Sequence, residues 1–445
     1  MSLDLNPQFI RAYELMEQTE KHLFITGKAG TGKSTLLDYF RKQTKKNCAV
    51  LAPTGVAAVN VRGQTIHSFF GFKPDITPDL IQKPSSRNGQ LYKHLDCIII
   101  DEISMVRADL LDCIDKFLRL NGRDKYAPFG GVQIIMIGDL YQLPPVVTLQ
   151  DRELLSRRYR SPYFFDADVF ACLRLELVEL EIIYRQQDET FIDVLNAIRT
   201  NTTTVDHFSR LNSQHQPLGE ATDGAITLTT TNALADGVNS DRLAQIAGAP
   251  ITYEGQSSGN FLEKDAPAPR QLTLKIGAQV MLLNNDSGKR WVNGSIGTIT
   301  EIKSEIGEPD TIVVMLQDGR HVDVLPYSWE SSEFVLDDRS KVVTAKATGT
   351  FTQYPLKLAW AVTIHKSQGK TFDQVVIDLG RGTFAHGQLY VALSRCTTLE
   401  GIVLKQLVTR RHIVMDQRVV AFMQQFKETS VFRGEDAYEP APQLF

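Results

Sequence analysis

The chain predicts an α/β protein with two parallel-sheet lobes of related design and a small β-barrel inserted into the second. Three observations lead there. A short apolar strand runs directly into a glycine-rich loop and a helix near residue 30. Further apolar runs suited to strands covered on both faces end in Asp-Glu or Gly-Asp pairs. An alternating β/α pattern resumes after a stretch of short strands separated by turn residues. At 445 residues the chain exceeds what one core supports. Its composition, 42% hydrophobic and 22% charged, is globular, and no apolar run is long enough to span a bilayer, so no membrane partner is expected.

The first strand, His22 to Thr26, is followed by Gly27-Lys28-Ala29-Gly30-Thr31-Gly32-Lys33-Ser34 and a helix to about Gln43. This is G-x-x-x-x-G-K-[ST] between strand and helix. Gly27, Gly30, Thr31 and Gly32 let backbone N–H groups face phosphate oxygens, and the helix adds its positive end. Lys33 would meet the β- and γ-phosphates, Ser34 would ligate Mg²⁺, and Thr35 would reach the α-phosphate. The run Leu95 to Ile100 ends in Asp101-Glu102. There Asp101 would hold Mg²⁺ through water and Glu102 would polarise the attacking water. The run Val132 to Ile137 ends in Gly138-Asp139 and continues to Gln142 and Pro144-Pro145. Ending in the same sheet, it brings Gln142 beside Asp101-Glu102, and the prolines would carry its displacement to a neighbouring surface.

A second α/β unit is read from Leu175 to Ile183, the helix Thr190 to Arg199, the strand Ala225 to Thr229 and the helix Ala233 to Ile246. It resumes at Leu358 to Ile364, followed by His365-Lys366-Ser367-Gln368-Gly369 and, after a further strand and helix, Ser394-Arg395. It lacks a phosphate loop of its own, which points to a nucleotide held between the lobes. Arg185 and Arg395, at element ends, would supply charge across the cleft, since a guanidinium fork suits phosphate. Between Gly248 and Val343, short strands split by Asn-Gly, Asp-Gly and Gly turns suggest the barrel. The expected domains are therefore 1–174 with a small insertion near 61–79, 175–247 with 344–427, the barrel at 248–343, and an acidic tail at 428–445.

Between Lys21 and Lys73 there are nine lysines or arginines against one acid, Asp38, so this stretch carries +8 in a chain of net charge −4. A local basic field in an acidic chain suggests a confined track for a polyanion, although several of these cations would also suit a solvated helix end. Pro53, Thr54, Gly55, Thr65, His67 and Ser68 offer small polar groups at strand ends for phosphates. Phe69 or Phe70 would stack on a base or, alternatively, belong to the core. Thr229, Thr231, Asn232, Thr363, His365 and Lys366 occupy the matching edges of the second unit. The five cysteines show no C-x-x-C pair and read as reduced, in a cytoplasmic protein. The first twenty residues lack the form of a signal peptide.

The set GKAGTGKS, APTGVAA, TIHSFFG, DEISM, GDLYQLPPV, YRQ, AVTIHKSQGKTF and YVALSRC resembles superfamily-one type B helicases, most of all the petite-integration-frequency (PIF) helicases, relatives of the RecD subunit. The segment Val106 to Gly131 is similar to that family's signature element. The resemblance implies two RecA-like lobes, an SH3-like barrel insertion, and ATP- and Mg²⁺-driven 5′→3′ translocation on single-stranded DNA. Unwinding of 5′-tailed duplexes is implied, and G-quadruplexes or RNA–DNA hybrids are further substrates of the family. Lys33, Ser34, Asp101, Glu102, Gln142, Arg185 and Arg395 match its hydrolysis positions, Gly369 a γ-phosphate contact, and Gln8 the glutamine that reads adenine. The long basic extensions of eukaryotic members are absent, which favours a bacterial, nucleoid-associated enzyme. A monomer is expected, with pairing on DNA left open. The rival readings are a DNA-stimulated ATPase scaffold that unwinds nothing and a small-molecule phosphotransferase. The latter leaves the second lobe unexplained.

Overall fold

The computed structural model describes residues 6–73, 75–82, 89–186, 188–216, 224–261, 266–337, 343–429 and 431–433. Strands β1 (His22–Gly27), β2 (Cys48–Ala52), β3 (Gln64–Thr65), β4 (Cys97–Ile100), β5 (Gln133–Ile137) and β6 (Arg174–Leu180) form a parallel sheet in the order β6-β1-β5-β4-β2-β3. Strands β4 and β5 are buried at every residue and β1 and β2 at all but their first, as parallel strands covered by helices on both faces should be. This order sets β1, β5 and β4 side by side. The phosphate loop, Gly138-Asp139 and Asp101-Glu102 leave their carboxyl ends and share one rim, where open α/β sheets hold ligands.

The second lobe is built on a four-stranded parallel sheet of β7 (Ile226–Thr229), β8 (Ala361–Thr363), β9 (Val375–Asp378) and β10 (Ile402–Leu404), in the order β8-β7-β9-β10. Between β7 and β8 the inserted domain folds as a five-stranded antiparallel sheet with a two-stranded and a three-stranded sheet beside it. Its core includes Leu272, Val280, Ile299, Val314 and Leu356.

Four expectations are corrected. The apolar stretch from Leu175 belongs to the first lobe: β6 pairs with β1 from His22↔Leu175 to Gly27↔Leu180. The crossing to the second lobe therefore follows Leu180. The chain also returns to the first lobe at its end. Helix Gln417–Thr429 buries Val419, Phe422 and Met423 in the first core, with Phe422 stacked 4.3 Å from Phe165. Strand Val431–Arg433 then pairs antiparallel with β6, so the expected tail begins as structure, and 434–445 lies outside the described residues.

The inserted domain runs past Val343, because the strand Leu356–Leu358 closes its sheet against Gln279–Leu282. The long hairpin Tyr327–Leu336/Val343–Gln353 leaves that sheet for the first lobe. There the Phe334 ring lies 5.8 Å from Phe69, and its N–H donates to Gln64 Oε1. Finally, Cys48 and Cys97, expected to be reduced, form a disulfide. They are cross-strand partners in β2 and β4 with Cα atoms 4.8 Å apart. Sheet register brings them together, and sequence spacing carries no sign of it. Cys113, Cys172 and Cys396 are free thiols.

Candidate active site

A cleft of about 720 Å³ opens between the lobes, lined by Ala29 to Thr35, Glu102, Gln142, Tyr184 and Arg185 on one side and by Gly369, Thr371, Arg395 and Thr397 on the other. The Lys33 ammonium donates to the carbonyls of Gly27 (2.6 Å) and Lys28 (2.9 Å), and burial pushes its pKa down. Gly30 has a φ of +81°, and a Cβ there would stand 2.4 Å from the Arg185 Cβ. Only glycine lets the crossover segment close this tightly on the loop, where the Tyr184 N–H donates to the Gly30 carbonyl at 2.9 Å. Ser34 and Thr35 are exposed on the first helical turn.

Glu102 takes a left-handed backbone (φ 50°, ψ 44°), which costs an L-residue roughly 1–2 kcal/mol. Its carboxylate accepts from Gln368 Nε2 at 2.9 Å, and the same amide donates to Gln142 Oε1 at 3.2 Å. Gln142 thus emerges beside Glu102 as expected. The bridge comes from Gln368 of the second lobe, inside the HKSQG run yet not singled out by sequence. Burial pushes the Glu102 carboxyl up, opposed by the charges of Lys33 and Arg395. Burial and the neighbouring Glu102 charge raise Asp101 to about 7.

Arg395 is almost fully buried. Its guanidinium donates to the carbonyls of Val391 (3.0 Å) and Lys370 (3.2 Å), and burial beside Arg185 holds its pKa down at about 9. Arg185 donates to the Ser394 carbonyl at 3.1 Å. Neither guanidinium has a carboxylate salt-bridge partner among the described residues, so the two arginines and Lys33 face one cleft that also holds the Glu102 carboxyl, with none of the three cations in a direct ion pair. A polyphosphate fits that charge. Mg²⁺ fits too: the Ser34 hydroxyl and the Asp101 carboxylate are the small donor set it uses with substrate phosphates, and a dication would relieve the Asp101–Glu102 repulsion. Gln8 does not line the cleft. It is tied to Glu181 at 2.6 Å, while Phe9 of the same helix supplies the wall.

Two interlobe contacts were not legible in the sequence. The Ala29 N–H of the phosphate loop donates to the Tyr390 hydroxyl at 2.9 Å. Arg199, at the end of helix Glu189–Thr200, pairs with buried Asp139 at 3.1 Å and stacks 4.1 Å from the Tyr141 ring centre. Replacing Arg199 with methionine strands Asp139 as a buried charge and is expected to cost about 3–5 kcal/mol, read as a shift in the urea unfolding midpoint. An unshifted midpoint would mean the pair does not join the lobes.

Next to Gln142 the chain enters a second cavity of about 770 Å³ between the lobes. Pro144, Pro145, Arg152, Arg160, His365 and Phe384 are among its lining residues. Of the residues expected to track a polyanion, Thr54, Ser68, Thr231, Asn232 and Lys366 are exposed, and Pro53, Gly55, Thr65, His67 and His365 are half-buried. Thr54 and Thr65 cap short helices and Thr231 the 14-residue helix Asn232–Gln245, each through its hydroxyl. Three others point inward. Phe69, 6% exposed, packs against Phe70, Tyr92 and Phe334 and is a core ring. The buried Thr229 hydroxyl donates to the Thr231 carbonyl, and the buried Thr363 hydroxyl accepts from the Lys366 N–H. Phe69 sits on the core side of helix Ile66–Phe70, and Thr229 and Thr363 end parallel strands of the second lobe whose last residues are buried.

A phosphate loop on one lobe, with Arg185 on the crossover beside it and Arg395 facing it from the other lobe, defines a two-lobed nucleoside-triphosphate hydrolase. Comparison with known proteins narrows this. Residues 9–207 match the family described as PIF1-like helicase, 259–302 the DNA helicase Pif1 2B domain, and 358–403 the UvrD-like helicase C-terminal domain. The chain is 34% identical over 436 residues to the ATP-dependent DNA helicase Pif1 of Bdellovibrio bacteriovorus, covering 96% of this chain and 93% of that protein. It is similar to the crystal structure of Bacteroides sp Pif1 in complex with ADP-AlF4 (TM-score 0.89, 39% identity, 97% and 99% of the two chains). It is also similar to Bacteroides Pif1 bound to ssDNA (TM-score 0.70, 39% identity, the same coverage). The chain spans 60% and 57% of the longer Emericella nidulans and human relatives. It belongs to the PIF1-like helicases and is an ATP-dependent DNA helicase that uses Mg²⁺.

Proposed function

We propose that the protein moves 5′→3′ along single-stranded DNA and separates 5′-tailed duplexes, with each lobe gripping the backbone in turn. One observation carries the coupling: Gln142 lines the nucleotide cleft, and two residues on, Pro144 and Pro145 line the neighbouring groove. The prolines stiffen that link. The groove's arginines and Phe384 suit a strand's phosphates and bases. The exposed cap residues Thr54 and Ser68 on the first lobe and Thr231, Asn232 and Lys366 on the second would flank its path. The bacterial relative supports action on a nucleoid, and the Bacteroides protein bound to ssDNA supports the strand as ligand.

In the hydrolytic step, water attacks the γ-phosphorus, Glu102 takes its proton, and the bond to the bridging oxygen of ADP breaks. Mg²⁺ held by Ser34 and Asp101 would neutralise charge on the β- and γ-phosphates. Lys33 leaves its own carbonyls for the phosphate. Arg395 meets the developing charge from the far side and Arg185 from the crossover beside the loop, and Gln368 aligns Glu102 with Gln142. Closure on ATP displaces one grip relative to the other, and release of phosphate resets it.

The test is strand displacement on duplexes carrying either a 5′ or a 3′ single-stranded tail. Unwinding of the 5′-tailed duplex alone is expected. Equal unwinding of both, or of neither, rejects directional translocation.

A further inference from the structure

The seam between the inserted domain and the second lobe holds a cation cluster that the hydrolytic mechanism does not use. Lys357 and Met281 are direct cross-strand partners in adjacent antiparallel strands, so their side chains share a face. The Lys370 ammonium reaches that same place, 3.0 Å from the Met281 sulfur. Lys370 is only 8% exposed, and a thioether is a weak acceptor for an ammonium with three donors. Among the described residues, neither Lys357 nor Lys370 has a carboxylate or carbonyl partner for its ammonium. Lys366, exposed and four residues before Lys370, completes the cluster. Enclosed cations without a counter-charge are costly, and the usual remedy, a buried carboxylate, is missing here.

We propose that Lys357, Lys370 and Lys366 form a site for one backbone phosphate of the bound DNA strand. The placement favours a strand over a free ion. Lys366 adjoins His365, which lines the interlobe groove. The turn at Gly294 packs on the Lys370 side chain, and its neighbour Asn293 donates to Asn60 Oδ1 at 3.2 Å, at the end of the first-lobe helix that begins beside Thr54. The seam therefore adjoins the groove at His365 and reaches the far end of the first-lobe helix that Thr54 caps. The Lys370 carbonyl also accepts from Arg395, tying this site to the nucleotide cleft. Burial lowers Lys370 to about 8, and burial with repulsion from Lys370 and Lys366 holds Lys357 well below its ordinary value, shifts that a phosphate reverses.

The proposal rests on the DNA path described above, and the experiment separates the two. Binding of a fluorescent thymidine 15-mer is measured by anisotropy over a sodium chloride series for the wild type, Lys357→Met, Lys370→Met and Lys366→Ala, with folding followed by thermal melting. Deleting a cation that neutralises one phosphate of a single strand lowers the log–log salt slope by about 0.7. A drop of that size is expected in both methionine variants. Should Lys370→Met fail to fold, Lys357→Met on the same face decides. A reduced slope in Lys366→Ala alone keeps the DNA path and overturns the site, whereas unchanged slopes in all three overturn both. Inorganic phosphate is the second probe. If it raises the melting temperature of the wild type but not of Lys370→Met, while DNA slopes stay unchanged, the cluster holds a free anion and the proposal is wrong.

Discussion

Arg395→Ala is expected to lower DNA-stimulated ATP turnover by about 10³- to 10⁵-fold, the range an arginine contributes when it meets the transferring phosphoryl group. Three features of its setting argue for the large effect. The guanidinium is enclosed, so its charge acts through little solvent. It lacks a carboxylate partner among the described residues. Carbonyls of Val391 and Lys370 aim it before any nucleotide arrives, so little reorganisation remains for the transition state. The substitution also removes those carbonyl bonds, so Arg395→Lys serves as the control. It keeps a charge in the pocket but not the fork, and should stay well below wild type while melting near it. The measurement is steady-state phosphate release at saturating ATP and oligonucleotide. Turnover within tenfold of wild type in a folded Arg395→Ala protein would remove this arginine from the reaction.

Lys33→Ala comes second, with an expected loss of at least about 10²- to 10³-fold in turnover, the effect of deleting one preorganised donor to developing charge. Here the ammonium rests on the Gly27 and Lys28 carbonyls. Its removal leaves those oxygens facing the cleft, where they would repel phosphate, so weaker nucleotide binding should accompany slower chemistry. DNA affinity measured without nucleotide should persist, because none of the exposed track residues contacts Lys33. Retained DNA-stimulated hydrolysis in this variant would refute the assignment of the phosphate loop.

The nucleotide half of the site was legible because its chemistry is local. A strand, glycines of fixed spacing and a helix start determine the position of Lys33. Apolar runs ending in Asp-Glu and Gly-Asp needed only to share a sheet to bring Glu102 and Gln142 together. What sequence did not carry are pairings across long separations. β6 reads as the opening of a new unit because its apolar content is equally suited to either sheet, and only hydrogen bonding to β1 assigns it. The closing helix returns to the first core through Phe422 on Phe165, 257 residues away by their numbering, with no local sign of its destination. Gln368 and Arg199 find their partners only when the lobes meet, and Cys48 meets Cys97 only through register. Phe69 and Thr229 illustrate a different limit. Phe69 and its neighbour Phe70 are both buried on one short helix, and Leu228 and Thr229 are both buried at one strand end, so a short motif does not say which side chains reach solvent.

The claim on which the rest depends is that one nucleotide is gripped from both lobes at once. The direct measurement is a crystal structure of this protein with an ATP mimic and Mg²⁺. The guanidinium groups of both Arg185 and Arg395 are expected within about 2.7–3.2 Å of terminal phosphate oxygens, with the Lys33 ammonium moved off the Gly27 carbonyl onto the same phosphate. A mimic bound by the phosphate loop alone, with both guanidinium groups beyond hydrogen-bond reach of its phosphates, would contradict it.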